Sequence, residues 1–352
     1  MIIAIPKEGC PGETRVALVP QAVPALVKGG HQVWVETGAG LAAGYPDAAY
    51  VKQGATLMDE REQLFEQAEV LFMVRGPGAN PETGADDLAR MQPDQTLIAF
   101  LNPLMAQKEA LALADAGVTA FSLELIPRIS RAQSMDALSS MASLAGYKGV
   151  LEAANHLPKI FPLMMTAAGS LTPARVFVIG AGVTGLQACA TAKRMGALVS
   201  AYDIRPAVRE QVQSVGAEFV EFDLQTEAAE DSRGYAREQK ADFLERQQAE
   251  MAKAVAASDV VIATAGVPGR RAPVLITEEM VAGMAPRSVI VDVVADLGGN
   301  CAVTVTGETV VRHGVTVIGP LPSALPRRAG KFRFQLTLLS SGRGAIHRAA
   351  AQ

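Results

Sequence analysis

The sequence is short of the residues that build metal cages, disulfide frameworks and most acid–base sites. Three cysteines, Cys10, Cys189 and Cys301, lie far apart without CxxC spacing, so no thiolate cage is expected and each is read as structural in a reducing compartment. The four histidines, His31, His156, His313 and His347, follow no shared motif, and each is read as a surface or capping residue rather than a catalyst. A surplus of one charge is also missing. The 32 Lys and Arg against 36 Asp and Glu leave a net charge of -4 with no basic stripe, which excludes the phosphate-neutralising footprint of a nucleic-acid binder. Long apolar runs are lacking too: the stretch 160–171 is broken by Pro and Gly and falls short of the ~20 residues a membrane helix needs, so direct membrane insertion is not expected. The start, Met1-Ile2-Ile3-Ala4-Ile5-Pro6, has neither a basic n-region nor a small-residue cleavage site, so no export is expected and the cytoplasm is the expected location.

What the sequence does have is enough apolar residues, 49%, to bury a core, and a length of 352 residues that favours two domains of about 150 residues each. Short β-branched runs recur at 2–5, 32–36, 70–74, 96–101 and 119–121, separated by segments such as 20–28 and 107–116 that place Ala, Leu and Val on one helical face. Alternation of this kind predicts a helix-covered parallel sheet. Residues 136–156 then read as one long Ala, Leu, Met and Ser helix, and a boundary is placed there. A second series of strands follows at 175–179, 197–202, 259–265, 288–294 and 315–319, while 221–250, dense in both charge signs, reads mostly as solvated loop and helix. The expected fold class is α/β, with two Rossmann-like doubly wound parallel-sheet domains and a cleft between them.

The second series opens with the sharpest motif in the chain. Arg175-Val176-Phe177-Val178-Ile179 runs straight into Gly180-Ala181-Gly182-Val183-Thr184-Gly185 and an Ala- and Leu-rich helix, the strand, glycine turn and helix order of a dinucleotide site. Gly180 permits the tight turn, Gly182 lets the backbone approach a pyrophosphate, and Gly185 lets helix and strand pack closely. The helix starting at Val183 offers unpaired N–H groups and the positive end of a dipole. Asp203, 23 residues after Gly180, is placed to accept hydrogen bonds from both ribose hydroxyls and to repel a 2′-phosphate, which favours NAD over NADP. Arg205 beside it could pair with such a phosphate, and the other reading of the whole turn is a tight βα connection without ligand. Asp292 and Asp296 sit where open sheets hold ligands, at strand carboxyl ends, and either a ligand contact or a loop cap fits them.

These residues carry a family resemblance. In the second unit it rests on Val178-Ile179-Gly180-Ala181-Gly182-Val183-Thr184-Gly185-Leu186-Gln187-Ala188, on Ala201-Tyr202-Asp203-Ile204-Arg205-Pro206 and on Gly234-Tyr235-Ala236. In the first unit it rests on Pro6-Lys7-Glu8, on Gly12-Glu13-Thr14-Arg15-Val16-Ala17-Leu18-Val19-Pro20, and above all on Pro127-Arg128-Ile129-Ser130-Arg131-Ala132-Gln133-Ser134-Met135-Asp136-Ala137-Leu138-Ser139-Ser140. Over roughly residues 1–325 the chain closely resembles the NAD(H)-binding alpha subunit of proton-translocating NAD(P)+ transhydrogenase, within the alanine dehydrogenase/transhydrogenase family.

The resemblance implies that NADH held here gives hydride directly, from C4 to C4, to NADP⁺ on a separate NADP-binding partner subunit. The two rings would stand about 3–3.5 Å apart, with no proton moving at the reacting atoms. A membrane subunit would couple the transfer to proton flow, and the chain would be a homodimer, peripheral to the inner membrane through its partner subunits. Arg128, Gln133, Asp136 and Ser139 are implied as the catalytic loop beside the nicotinamide; Gln133 and Asp136 can hydrogen-bond the carboxamide, and Arg128 can place positive charge near the pyrophosphate or Asp136. A helix start capped by Ser134 or Asp136 is the other reading of that stretch. The implied cofactor-binding set is Gly180, Gly182, Val183, Gly185, Asp203, Ile204, Arg205, Ala265 and Gly266, with Gly234 and Tyr235 resembling the family's mobile loop over the nucleotide. An exposed loop tyrosine is the alternative there. The domains are then residues 1–136 with about 325–352 as the N-terminal α/β domain, 137–168 as a linking helix region, and 169–324 as the NAD(H)-binding Rossmann domain.

Alanine dehydrogenases share the fold and Arg15-Val16-Ala17-Leu18, so an NAD-dependent amino acid dehydrogenase is the second enzymatic reading. In them a lysine and a histidine serve the pyruvate. The matching positions here look like Arg75 and Asn102, a permanently charged guanidinium and an amide that exchanges no proton near neutral pH. A non-catalytic NAD(H)-binding module is the third reading. Three departures from the transhydrogenase pattern bear on the choice. Gly266 stands where a larger apolar residue is usual, which would loosen packing against the nicotinamide. Asp296-Leu297 replaces a glutamate–glutamine pair ahead of Gly298-Gly299-Asn300. Beyond Ser323 the chain is basic and unlike the family's helical return to the first domain.

Overall fold

The computed structural model describes residues 1–222, 241–267 and 269–319. The first unit runs β1 (Ile2–Ile5), α1 (Val23–Lys28), β2 (Gln32–Glu36), α2 (Asp47–Lys52), β3 (Thr56–Met58), α3 (Arg61–Gln67), β4 (Val70–Arg75), α4 (Gly84–Arg90), β5 (Thr96–Phe100), α5 (Gln107–Asp115) and β6 (Thr119–Ser122). Its six strands form one parallel sheet in the order β3-β2-β1-β4-β5-β6. Strand alternation sends Ile3, Ile5, Val33 and Val35 to a core that includes Tyr50, and Ala4, Leu71, Leu97 and Ala99 to a second core with Leu64 and Phe65. Both faces are therefore covered by helices, the arrangement that parallel pairing requires. The order reverses between β1 and β4, so a crevice opens at the carboxyl ends of those two strands.

Helix α6 (Ala137–His156) follows, then an antiparallel hairpin of β7 (Met164–Thr166) and β8 (Gly169–Leu171). α6 ends just before Leu157, whose extended backbone is what the following Pro158 demands. Its Val150 and Ala153 are fully buried in the core of the second unit. The helix lies against the next one so closely that a Cβ on Gly146 would collide with the Thr184 carbonyl.

The second unit comprises β9 (Arg175–Ile179), α7 (Val183–Arg194), β10 (Leu198–Tyr202), α8 (Arg209–Ser214), β11 (Glu218–Phe219), α9 (Ala241–Ala256), β12 (Val260–Ala263), α10 (Glu278–Ala282), β13 (Val289–Asp292), β14 (Thr309–Arg312) and β15 (Val315–Ile318). These form a seven-stranded sheet in the order β11-β10-β9-β12-β13-β15-β14, parallel except for β14. The reversal between β9 and β12 places its crevice at the glycine turn. The fold is thus α/β with two Rossmann-like sheets, as the pattern predicts. Strands β3, β11 and β14 and the β7–β8 hairpin add to the expected set. Each is two to four residues long, and none carries the buried run by which a strand is read.

Candidate functional site

At the end of β9 the chain enters Gly180 with φ +93, a left-handed conformation that glycine adopts without strain. A side chain there would also press on the Thr264 hydroxyl and the Ala265 amide. Gly185 is closed in another way, because its Cβ would strike the Gly180 carbonyl. Gly182 is different: nothing lies within 4 Å of the side-chain position, and no described side chain caps the start of α7. The N–H groups of that first turn thus face an open approach, which is the geometry that suits a pyrophosphate. The residues present fit a dinucleotide on that ground.

Asp203 lies just past β10 and is buried. Its Oδ2 accepts from the Ala181 N–H at 2.7 Å, so the carboxylate ties the end of β10 to the glycine turn. Arg205 forks the same carboxylate, with Nε to Oδ1 at 2.9 Å and a terminal nitrogen to Oδ2 at 2.8 Å. The arginine is therefore engaged with Asp203, and half-buried Ile204 lies between them.

Across from the glycine turn stands the segment that leads into α6. A 3-10 turn over Ser130–Met135 delivers Asp136 to the helix N-cap. There Asp136 accepts from the Ser139 N–H at 2.8 Å and the Ser139 hydroxyl at 2.6 Å. Burial works against its ionisation, but these bonds and the charge of Arg128 outweigh it and hold the carboxyl below the usual range. Capping is therefore real at Asp136, and Ser134 takes no such part. A cavity of about 420 Å³ opens here, with Arg128, Gln133, Asp136 and Ser139 in its wall together with Val183 from the start of α7. All four residues of the expected loop and Val183 at the start of α7 thus line one cavity. A hollow of about 500 Å³ beside Lys159 and Met195 lies elsewhere, near the amino ends of β9 and β12, where Lys159 is paired with Asp259 at 2.8 Å.

After β12, the Thr264 hydroxyl donates to the Ile179 and Gly180 carbonyls at 3.1 and 2.9 Å, which joins Ala265 and Gly266 to the glycine turn. On the protein side, Gly266 is closely packed. A Cβ there would already stand 3.0 Å from Val294 Cγ1 and 3.4 Å from Leu297 Cδ1, so these two side chains fill the space. Asp292 is wholly buried at the end of β13; its Oδ2 accepts from the Cys301 N–H and the Thr304 hydroxyl and so braces the loop that follows, while its Oδ1 has no hydrogen-bond partner among the described residues. Asp296 is exposed in the turn that follows. Asn300 figures in the sequence only as the end of Gly298-Gly299-Asn300, with no role assigned; the structure shows it wholly buried behind two glycines of positive φ. Gly234 and Tyr235 lie outside the described residues, as do residues 325–352.

The crevice of the first unit holds a different set. Glu8 accepts from the Val74 and Arg75 N–H groups at 2.6 and 3.0 Å, and burial raises its carboxyl. Burial also raises Glu13, but hydrogen bonds from Arg15 and Arg75 prevail and pull it down to about 2. Arg75 is thereby paired with a carboxylate. Asn102 adopts φ +49, with its N–H bonded to Glu124 at 2.8 Å. The thiol of Cys189 is buried and pushed up to about 12, Cys301 is buried and raised too, and Cys10 is half-buried, in line with structural roles. Among the described histidines, His156 bonds the Glu152 carbonyl at the end of α6 and His313 bonds Glu278.

Family models described as "Alanine dehydrogenase/PNT, N-terminal domain" and "C-terminal domain" match residues 4–145 and 149–338. The chain belongs to the alanine dehydrogenase/PNT family. It is 47% identical over 320 residues to an NAD(P) transhydrogenase subunit alpha chain of Rhodospirillum rubrum, an alignment covering 91% of this chain and 83% of that one. The crystal structure of transhydrogenase from Sinorhizobium meliloti superposes with a TM-score of 0.79 at 41% identity, covering 92% of this chain and 87% of its own. Alanine dehydrogenase of Bacillus subtilis is 32% identical over 337 residues, 93% of this chain and 81% of that enzyme. The alanine dehydrogenase/PNT family is one of oxidoreductases that bind NAD(H) in this two-domain fold.

Proposed function

We propose that the chain is the NAD(H)-binding subunit of a proton-translocating transhydrogenase, in which hydride passes from NADH to NADP⁺ held on a partner subunit. The observation that carries this reading is the make-up of the cleft. Nucleotide-binding backbone and the Arg128–Ser139 segment meet there, and the two positions matching the lysine and histidine of an amino acid dehydrogenase hold no group that exchanges a proton near neutral pH. Arg75 is paired with Glu13, and position 102 is an amide. When bound, NADH supplies a hydride from C4 of its nicotinamide. The chain's own residues then bind and orient. The first-turn N–H groups beyond Gly182 hold the pyrophosphate, and Val183 lines the approach. Asp203 receives the ribose hydroxyls and so shares its oxygens between them and Arg205. Gln133 and Asp136 fix the rotation of the ring through its carboxamide, and Arg128 and Ser139 keep Asp136 ionised and in place. Ala265 and Gly266, joined to the glycine turn through Thr264, stand beside the ring on this reading.

Activity on this reading needs partner subunits, one binding NADP and one in the membrane. Among the described residues no helix is long and apolar enough to cross a membrane, which fits peripheral attachment to the inner membrane from the cytoplasmic side through those partners. Dimerisation is supported by the β7–β8 hairpin, whose Met164, Met165 and Leu171 face solvent, Met165 being 81% exposed. The test is to mix the purified chain with an NADP-binding transhydrogenase component and follow reduction of an NAD analogue by NADPH. Transfer is expected only in the mixture. Turnover of NAD⁺ with L-alanine by the chain alone would replace this reading with the dehydrogenase, and tight NADH binding without transfer would leave a non-catalytic module.

A further inference from the structure

We infer that Asn300 is a positioning residue, which sets the height and tilt of the Ala265–Gly266 wall against the nicotinamide while taking no part in holding the nucleotide. The inference rests on the proposed reading of the cleft. Asn300 is wholly buried, and its amide is used like a piece of backbone. Oδ1 accepts from the Ala265 N–H at 2.9 Å, and Nδ2 donates to the Ala265 carbonyl and to the Pro273 carbonyl, both at 2.8 Å. One side chain therefore satisfies both polar groups of residue 265 and closes the far end of the same loop. The main-chain carbonyl of Asn300 accepts from the Leu275 and Ile276 N–H groups at 2.9 Å, which repeats the tie one step further on.

The anchor itself is fixed from behind. The next residue, Cys301, donates its N–H to buried Asp292, and a side chain at Gly299 would press on that carboxylate at 2.7 Å. From the other side, Thr264 holds the loop to the glycine turn. The loop is thus suspended between two supports, Thr264 at the glycine turn and Asn300 on its other side. Pyrophosphate and ribose are served by α7 and Asp203, so nucleotide affinity and ring placement are separable.

The test uses the full chain with its NADP-binding partner. Asn300→Asp keeps the acceptor but sets a carboxylate against two carbonyl oxygens. At neutral pH, hydride transfer should fall about ten-fold or more, while the NADH dissociation constant changes by less than about two-fold. As pH is lowered, the buried carboxyl regains a proton to donate, and the rate should climb in the variant but not in the wild type. Asn300→Ser, small and neutral, should show the same split without the pH recovery. In the nucleotide-free chain Asn300→Ser, which removes the acceptor, should speed hydrogen exchange at the Ala265 amide, a readout that stands even if transfer is absent. Unchanged exchange, or affinity and rate falling together without recovery at low pH, would overturn the role of Asn300. A wild-type chain that binds no NADH, with the exchange result intact, would instead refute the reading of the cleft and with it any role in ring placement.

Discussion

Asp203 shows how much a single carboxylate is asked to do. It braces the glycine turn through Ala181 and is forked by Arg205, and on the proposed reading it also meets the ribose. Asp203→Ala should weaken NADH binding by at least about 1.5–3 kcal/mol, which isothermal titration would read as roughly ten-fold or more; an unchanged dissociation constant would remove Asp203 from the site. Its spacing from Gly180 was legible in the sequence, and so were the tight turn at Gly180 and the close packing at Gly185, because each answers to a steric demand of one turn. The Arg205 pairing was not, since a lone arginine near a phosphate site reads the same whether it serves ligand or carboxylate. Glu13 carries a pH signature of its own. Its folded pKa near 2 lies below the ordinary 4.5, so its stabilising contribution is full above about pH 4.5 and is lost as the pH falls toward 2. Arg15 and Arg75 are partly exposed, so the contribution is about 1–3 kcal/mol after screening. Denaturant melts of Glu13→Gln across that window should show a flatter acid limb than the wild type, and parallel limbs would contradict the assignment.

At the scale of elements, the turn and helix that follow β9 separate binding from stability. A Cβ on Gly182 meets open space, whereas one on Gly185 strikes the Gly180 carbonyl. Gly182→Ala should therefore fold with a loss of about 1 kcal/mol or less yet bind NADH at least about ten-fold more weakly, because its methyl stands in the phosphate approach. Gly185→Ala should lose about 1–3 kcal/mol or more of stability by overpacking. Thermal melts paired with NADH titrations decide this, and equal stability losses would contradict the geometry. Long buried strands and the α6 helix were readable because their patterns extend over several residues. The short strands β3, β11 and β14 were not, since neighbouring strands rather than local propensity hold them in the sheet. Gly266 is a case of the same kind: sequence shows only a missing side chain, and packing shows that Val294 and Leu297 stand against that position from within the protein.

The whole molecule is two parallel sheets whose crevices differ in kind. One is backbone open to a phosphate; the other is a charge cluster closed on itself around Glu13. The units also touch where a side chain on Gly269 would press into Leu104, close to Asn102. Outside the cleft, the apolar hairpin predicts the quaternary state. Met165→Lys should convert a dimer to a monomer in sedimentation without changing the circular dichroism, and an unaltered sedimentation coefficient would place the interface elsewhere. On the proposed reading, hydride crosses this cleft directly between two nicotinamides, without a proton-exchanging intermediate. The most direct measurement follows deuterium from C4 of labelled NADH in the mixture with the NADP-binding subunit. The account predicts that the label appears in NADPH undiluted by solvent hydrogen; loss of the label to water would contradict it.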